Sequence, residues 1–467
     1  MTLPSRLSLL SLCILLAACA GQEPENAVPA APEHWQGATH HVAPIADGPW
    51  WQAFASPQLD ALIEQARSNS FDLAAAMARV RQAQASAVIA GAPLLPEVKF
   101  GLDASRQRLL HGNGYNGIDA SSSQRTYNAY STSLSASYEV DFWGGKAAAR
   151  DSALHSLDAS RFDRQTVELT LFSGVASSYL QSLAVAEQLD IARLNLTNAR
   201  DVLKVVQTRH DAGSATALEL AQQRSLVAAQ ERQVPLLEQQ LQDTRITLAT
   251  LLGEPVQQLP VNRERFAAIH WPDIGAGVPS DLLGRRPDIA AAEARLAAAK
   301  ANVTVARAAM LPSLTLGANL GSGAQIFDQL LRSPYYSLTA GLAAPIFDHG
   351  KRGAERDRAR AAQEELLQVY HGSIVAAFGD VEKALNSIGG TERQRQWQDE
   401  EVRQARTAFE LAQSRYRAGA ETLLTVLETQ RTLYEAQDQQ VQLRLARVQG
   451  SVALYKALGG GWQVSSR

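Results

Sequence analysis

The strongest constraint on how this chain folds is that it contains itself twice. Residues 72–101 align without a gap to residues 288–317, matching Asp72 to Asp288, Arg79 to Arg295, Leu95-Pro96 to Leu311-Pro312 and Gly101 to Gly317. A second ungapped pairing sets residues 209–253 against residues 415–459, with Arg209, Ala212, Gly213, Thr216, Leu218, Leu248, Leu252 and Gly253 repeated. Between them, Phe142-Trp143-Gly144-Gly145-Lys146 is echoed by Phe347-Asp348-His349-Gly350-Lys351. Shared helical composition matches Ala and Leu cheaply, but it does not repeat the Leu-Pro and Gly-Lys punctuation in the same order. A period this long exceeds any solenoid repeat and means that a whole structural half has been duplicated.

Each half reads as helix, strand, loop, strand, very long helix and return helix. The first helix, Asp72 to about Ala92, is stopped by Pro93 and Pro96, which lack the amide and restrict the residue before them. The period then changes to two. From Tyr130 to Phe142 one face carries Tyr130, Thr132, Leu134, Ala136, Tyr138, Val140 and Phe142, and the other carries serines, Glu139 and Asp141. Val98-Phe100-Leu102-Ala104 alternates likewise. In the second half Leu314-Leu316-Ala318-Leu320 and Tyr336-Leu338-Ala340-Leu342-Ala344-Ile346 do the same. Expected strands are therefore about 96–107, 128–142, 312–322 and 335–347.

Strands of this length with one apolar face fit a transmembrane β-barrel or a soluble hairpin packed on helices, and periodicity alone leaves both open. Four strands cannot close a barrel, and open edges are not tolerated in lipid. A barrel must then be shared: two chains give eight strands, three give twelve and room for a lumen.

Lys146 to Arg209 holds no proline and a single glycine, Gly174, predicting a rod of roughly 95 Å at 1.5 Å per residue. Lys351 to Arg417 mirrors it. Such rods cannot bury themselves in a compact domain and must pack side by side as coiled coils. Only 6% of residues are aromatic and 19% charged, a composition suited to alanine-lined helix seams and lipid-facing strands rather than to thick cores. Pro235 is expected to divide the first return helix in two.

At the N-terminus Arg6 precedes an apolar run from Leu7 to Leu16, too short to span a bilayer, followed by Ala17-Ala18-Cys19. Leu16 to Cys19 resembles a bacterial lipobox. That resemblance implies cleavage before Cys19, lipidation of its sulfur and, with Ala20 next, sorting to the outer membrane. Two or three acyl chains make such an anchor stable. Cys13 leaves with residues 1–18, so the mature chain is left without a thiol. Residues 19–49 read as a lipidated tether, 50–254 as the first repeat with long helices over about 146–252, 255–284 as an inter-repeat segment, and 285–467 as the second repeat with long helices over about 351–458.

Net charge of −3 gives no basic surplus for binding nucleic acid. Gly112 to Gly117 fits G-x-G-x-x-G but has no βαβ context and is expected to be a polar loop between strands. The serines of 121–137 lack a nucleophile-elbow frame, and the histidines, of which only His40-His41 are adjacent, form no metal motif. No catalytic residue, metal or cofactor is assigned.

Several of these segments resemble the outer membrane factor lipoproteins, the TolC-like channels of tripartite efflux. They are the lipobox, Arg285-Arg286-Pro287-Asp288-Ile289 with Ala291 to Pro312, Arg415-Tyr416-Arg417-Ala418-Gly419 with Leu424 to Gln430, and Leu454 to Trp462. The resemblance spans essentially the whole mature chain. It implies a mainly α fold with membrane β: a homotrimer with a twelve-stranded β-barrel above a long periplasmic coiled-coil α-barrel, anchored in the outer membrane. It further implies an adaptor protein and an inner-membrane pump of RND or ABC type as partners. The exports implied are drugs, siderophores or other toxic compounds. By the same resemblance Leu424 and Glu428 occupy the gate, where the family commonly has aspartate at the second position, while Leu218 and Gln222 stand at the first repeat's equivalents. The turns Arg209 to Gly213 and Arg415 to Gly419 would be adaptor-docking tips. Rival readings are a structural or adhesive coiled-coil lipoprotein, and a channel for protein or metal-ion export.

Overall fold

A computed structural model describes residues 29–37, 48–108, 110, 126–259, 264–272 and 274–462. Cys19 and the Gly112 to Gly117 segment lie outside them. The architecture below concerns the unit that begins at Pro32.

The elements run α1 (Pro57–Asn69), α2 (Phe71–Gly91), β1 (Glu97–Arg108), β2 (Thr126–Val140), α3 (Gly145–Asp211), α4 (Ala217–Leu252), α5 (Pro287–Ala308), β3 (Ser313–Ala324), β4 (Pro334–Ala343), α6 (Lys351–Arg417) and α7 (Leu423–Ala457). From α2 to α4 and from α5 to α7 the order is the same, so the duplication is structural as well as sequential. The rods α3 and α6 are both 67 residues long and both begin after a left-handed glycine, Gly144 and Gly350. That places Gly144 opposite Gly350, one residue away from the alignment suggested by the shared Gly-Lys pair. At 1.5 Å per residue each rod is about 100 Å long.

The four strands form one antiparallel sheet in the order β1-β2-β3-β4. Its register sorts the two faces. Phe100, Leu134, Leu320 and Tyr336 stand in one row across the sheet, and Val98, Ala136, Ala318 and Leu338 in the next. The opposite face carries Lys99, Ser135, Asn319 and Ser337, then Gly101, Ser133, Gly321 and Tyr335. Among the described residues no helix covers the apolar face: Phe100, Leu338 and Leu342 are 73–75% exposed. An uncovered apolar face of this extent is what lipid-facing strands present and what a water-soluble hairpin cannot. β4 ends at Ala343, short of the expected 347, and Ala344 to Phe347 continue without a strand neighbour.

Helices start where side chains take up orphan amides. Ser56 accepts from the Leu59 amide, Thr216 and Glu219 form a reciprocal capping box, and Thr422 accepts from the Thr425 amide. α4 passes through Pro235 as one helix, contrary to the expected division. The proline is exposed, so water can take the one freed carbonyl, that of Glu231. Leu237, packed with Val185 and Leu189 of α3, anchors the helix just past the proline.

The largest core sits at mid-height rather than at the tips or the sheet. Here α1, which sequence patterning did not anticipate, packs Leu59, Leu62, Ile63 and Ala66 against Phe172, Val175 and Tyr179 of α3. Glu264 ties the layer together by accepting from the hydroxyls of Ser56 and Tyr179 and from the amide of Gln58. Burial and the nearby Glu264 push the Tyr179 hydroxyl far above its ordinary range.

A second knot lies where the repeats meet. Arg286 grips Asp288 through two hydrogen bonds, of 3.0 and 2.6 Å, and reaches Asp380 of α6 at 3.1 Å and the Ala457 carbonyl of α7 at 3.3 Å. Burial alone would lower the Arg286 pKa and raise that of Asp288. Their mutual hydrogen bonds and charges outweigh it, so Arg286 is raised and Asp288 lowered. Gly459, at φ +87°, passes so close that a Cβ would stand 1.8 Å from the Arg285 carbonyl oxygen.

The expected tether is partly docked. Trp35 is buried against Phe378 and donates to the carbonyls of Ala276 and Gly277, while the amides of Gln36 and Gly37 both donate to Glu382.

Candidate channel gate and tips

The ends of the rods bring the sequence-selected residues into two groups. The α6–α7 turn carries Arg415 and Gly419, and the first turns of α7 carry Leu424 and Glu428. The buried stripe of α7 here is Leu423, Val426, Gln430 and Leu433, which packs on Phe409 and Tyr416 of α6. Leu424 and Glu428 fall off that stripe, one helical turn apart, and both are exposed, Leu424 by 57%. The first repeat does the same: Leu220 and Gln223 are buried while Leu218 and Gln222 face out. The chemical difference between the repeats is that only the second offers a carboxylate.

Both turns are Schellman motifs. The Ser214 amide donates to the Arg209 carbonyl at 2.8 Å, and the Gly213 amide to the His210 carbonyl at 2.9 Å. Ala420 and Gly419 repeat this onto Arg415 and Tyr416, at 2.9 and 3.0 Å. The sixth-residue bond closes only with a left-handed residue at the fifth position, and Gly213 and Gly419 supply it at φ +73° and +77°.

The two arginines, equivalent in sequence, are not equivalent in space. Arg209 turns inward, stacks its guanidinium 4.6 Å from the centre of the Tyr416 ring and donates to the Tyr416 carbonyl at 2.9 Å. Arg415 stays exposed, 3.7 Å from Glu421. Periodicity does not single out Tyr416; the signal in the sequence is that the first repeat has His210 at that place. Its ring is 3% exposed. Burial pushes the hydroxyl above its ordinary range, the Arg209 charge pulls it back, and Glu219 raises it again. The Thr422 amide and the Thr425 hydroxyl hold the Glu421 carboxyl below its usual range, with Arg415 adding to the effect.

Among the described residues no group of three or more His, Cys, Asp or Glu side chains could hold a metal. The arrangement offers surfaces, an exposed apolar and acidic pair one turn apart, and clasped tips.

One antiparallel sheet built from a repeated hairpin, with one lipid-compatible face and continuing into paired rods of about 100 Å, defines a channel subunit of TolC-like fold. The chain belongs to the outer membrane efflux protein family, whose profile matches residues 62–254 and 278–460, one segment in each repeat. It is 66% identical over 467 residues to the pyoverdine export outer membrane protein OpmQ of Pseudomonas putida, covering 100% of this chain and 99% of that protein. It is 61% identical to the protein of the same name from Pseudomonas aeruginosa, covering 98% of this chain and 97% of that one. The solved outer-membrane channel OprN superposes with a TM-score of 0.87 at 27% identity, covering 95% of this chain and 99% of OprN. The protein is an outer membrane efflux channel.

Proposed function

We propose that the chain is the outer membrane duct of a tripartite system that exports a siderophore of the pyoverdine class. Three copies supply four strands each to a twelve-stranded barrel, and the rods form a periplasmic tube that a periplasmic adaptor and an inner-membrane pump engage at its tips. Cys19 carries the acyl anchor. The channel does no chemistry and passes its cargo down a gradient that the pump maintains. At the closed end, three Leu424 side chains resist wetting and three Glu428 carboxylates favour cations. Opening is a loosening of the coiled coils around them.

Identity to two pyoverdine exporters along nearly the full length of the chain carries the cargo reading. The uncovered apolar sheet face carries the membrane reading. The test is replacement of the Pseudomonas putida relative's gene by this one, with siderophore measured in periplasm and medium. Restored secretion supports the proposal. Siderophore trapped in the periplasm, despite normal amounts of the protein in the outer membrane, rejects the cargo.

A further inference from the structure

Near mid-height the rods carry a groove whose key residues belong to the second repeat and are not matched in the first. It encloses about 550 Å³ between α3 and α6, floored by the last turns of α7 and the first residues of α5. On α7 the floor is Ala446, Gly450 and Ala453, spaced four and three apart so that they lie along one side of the helix. The alignment that pairs Arg209 with Arg415 sets Gln240, Thr244 and Thr247 at these places in the first repeat. The shallow floor is therefore not a by-product of the duplication.

The charges differ in the same way. The charged residues lining the groove are Arg286, Asp288, Asp380, Lys383 and Lys456. Arg286 takes both carboxylates, at 2.6 Å to Asp288 and 3.1 Å to Asp380. Lys383 and Lys456 are exposed and make no ion pair among the described residues. At their places the first repeat has Ser177 and Thr250, both neutral. Two ammonium groups, with the hydroxyls of Thr166, Thr170 and Ser387, thus border a surface of methyl groups and bare backbone. Such a concave site, apolar below and cationic at its rim, suits a ligand with a carboxylate or sulfonate on a compact, weakly polar body.

The groove opens on the side of the rods away from the cores. α7 turns Val441, Val448, Val452 and Tyr455 toward the α1 layer, and Leu454 and Leu458 toward the cluster around Trp35. Ala446, Gly450 and Ala453 lie on the remaining side. A layer as bulky as that of α1 would block a bore it faced, so in the tube proposed above the groove faces the bore. Lys456 stands on the same helix as Glu428, about 42 Å farther along at 1.5 Å per residue. That is several Debye lengths, so an acidic ring at Glu428 does not cancel the lysines.

We propose that this groove is a transient binding site for an organic anion on its way through the duct. Lys383 and Lys456 hold the acidic group, and the body of the molecule lies over Ala446, Gly450 and Ala453. Exposed lysines hold such a group loosely, as a conduit requires: binding must favour entry and still permit exit. The inference rests on the duct reading for the side on which the groove opens, and it adds the chemical feature of the cargo that the wall recognises.

The test uses the full-length protein purified in detergent. S387C places a thiol beside the two lysines, and the unsubstituted protein reports the background from its natural cysteines. Labelling rates are compared for an anionic methanethiosulfonate, the sulfonatoethyl reagent, and a cationic one, the trimethylammonioethyl reagent. At low salt the anionic-to-cationic rate ratio should fall about fivefold from S387C to S387C/K383Q/K456Q, and the difference should vanish near about 1 M salt. Pyranine, a pyrene bearing sulfonates, should bind K383Q/K456Q about tenfold more weakly than the unsubstituted protein by fluorescence anisotropy. K204Q, which removes an exposed lysine near the tip of α3, should leave pyranine binding unchanged. Equal labelling ratios in the two backgrounds, or pyranine binding undiminished in K383Q/K456Q, overturns the proposal. Failure of S387C to react with either label in a folded trimer also overturns it, because protein then fills the groove. Failure of the siderophore reading is distinguishable: cargo trapped in the periplasm together with lysine-dependent pyranine binding rejects that cargo and keeps the site. Restored secretion with lysine-independent pyranine binding rejects this inference alone.

Discussion

Arg209 and Tyr416, one from each repeat, clasp the two tips of the subunit together: the guanidinium lies 4.6 Å from the ring centre and donates to the tyrosine carbonyl at 2.9 Å. A stacked, charge-assisted contact of this kind at a half-buried site is worth about 1–3 kcal/mol, enough to bias how far the tips splay. Arg209→Ala should raise the conductance of the resting channel in planar bilayers, with Arg209→Lys intermediate because an ammonium cannot reproduce the planar stack. Unchanged conductance in both would mean that the clasp does not restrain the closed end.

Leu424 and Glu428 share an exposed face one turn apart, so in the proposed trimer they would stack an apolar ring and an acidic ring. Glu428→Gln should lower the cation-to-anion permeability ratio by roughly threefold while leaving conductance similar, since it removes charge and keeps volume. Leu424→Ala should do the reverse, raising conductance with little change in selectivity. If ion selectivity survives Glu428→Gln, the acidic ring lies elsewhere.

The glycines separate into two kinds. Gly213 and Gly419 have open space where a Cβ would go, so Gly213→Asp or Gly419→Asp strains only the left-handed backbone, at about 1 kcal/mol. Trimers should form and efflux should fail, which a susceptibility or secretion assay alongside native electrophoresis would register. Gly459→Ala drives a Cβ into the Arg285 carbonyl and should instead cost about 3 kcal/mol or more, lowering Tm and trimer yield together. Loss of trimers in the tip variants would remove the support for docking there.

Asp288 is held below the usual carboxylate range by Arg286, and this fixes the sign of its pH dependence. A depressed carboxyl stabilises the fold above its unfolded pKa, and that contribution is lost as pH falls through the folded pKa. Asp288→Asn should lower Tm at neutral pH, and the gap to the unsubstituted protein should close as pH drops below about 4. A gap independent of pH would show that packing, not charge, holds the α5 start to α6 and α7.

The strap at Trp35 offers a readout independent of transport. Trp35→Ala empties a site lined by Phe378 and Leu385 and leaves the Ala276 and Gly277 carbonyls without their donor, a loss of about 3 kcal/mol. Glu382→Ala frees the Gln36 and Gly37 amides. Both should increase protease cleavage within residues 32–37, more than they lower the heat stability of the rods; protection equal to that of the unsubstituted chain would show that the strap is held by other contacts.

Much of the architecture was legible because it rests on periodicity. Alternation placed all four strands, and the absence of proline placed both rods, since backbone geometry follows from local chemistry. Pro235 leaves α4 undivided for a reason outside that local chemistry. A local rule counts the lost hydrogen bond and cannot see Leu237 packing just past it. α1, the Glu264 knot and the docked Trp35 were not legible at all, because they join residues up to hundreds of positions apart with no shared period.

What the amino-acid sequence determined alone is the duplicated unit, its strand faces, its helix lengths and the turns at its tips, all set by spacing within a few residues of each other. What only the tertiary structure decided is how two equal halves become unequal. Arg209 folds inward while Arg415 stays exposed, α5 is enclosed while α2 is left bare, and β3 is paired on both sides while β1 and β4 are not. Those differences arise because α5 and β3 find a neighbour from the first repeat as well as from their own, whereas among the described residues α2 and β1 find one only from their own.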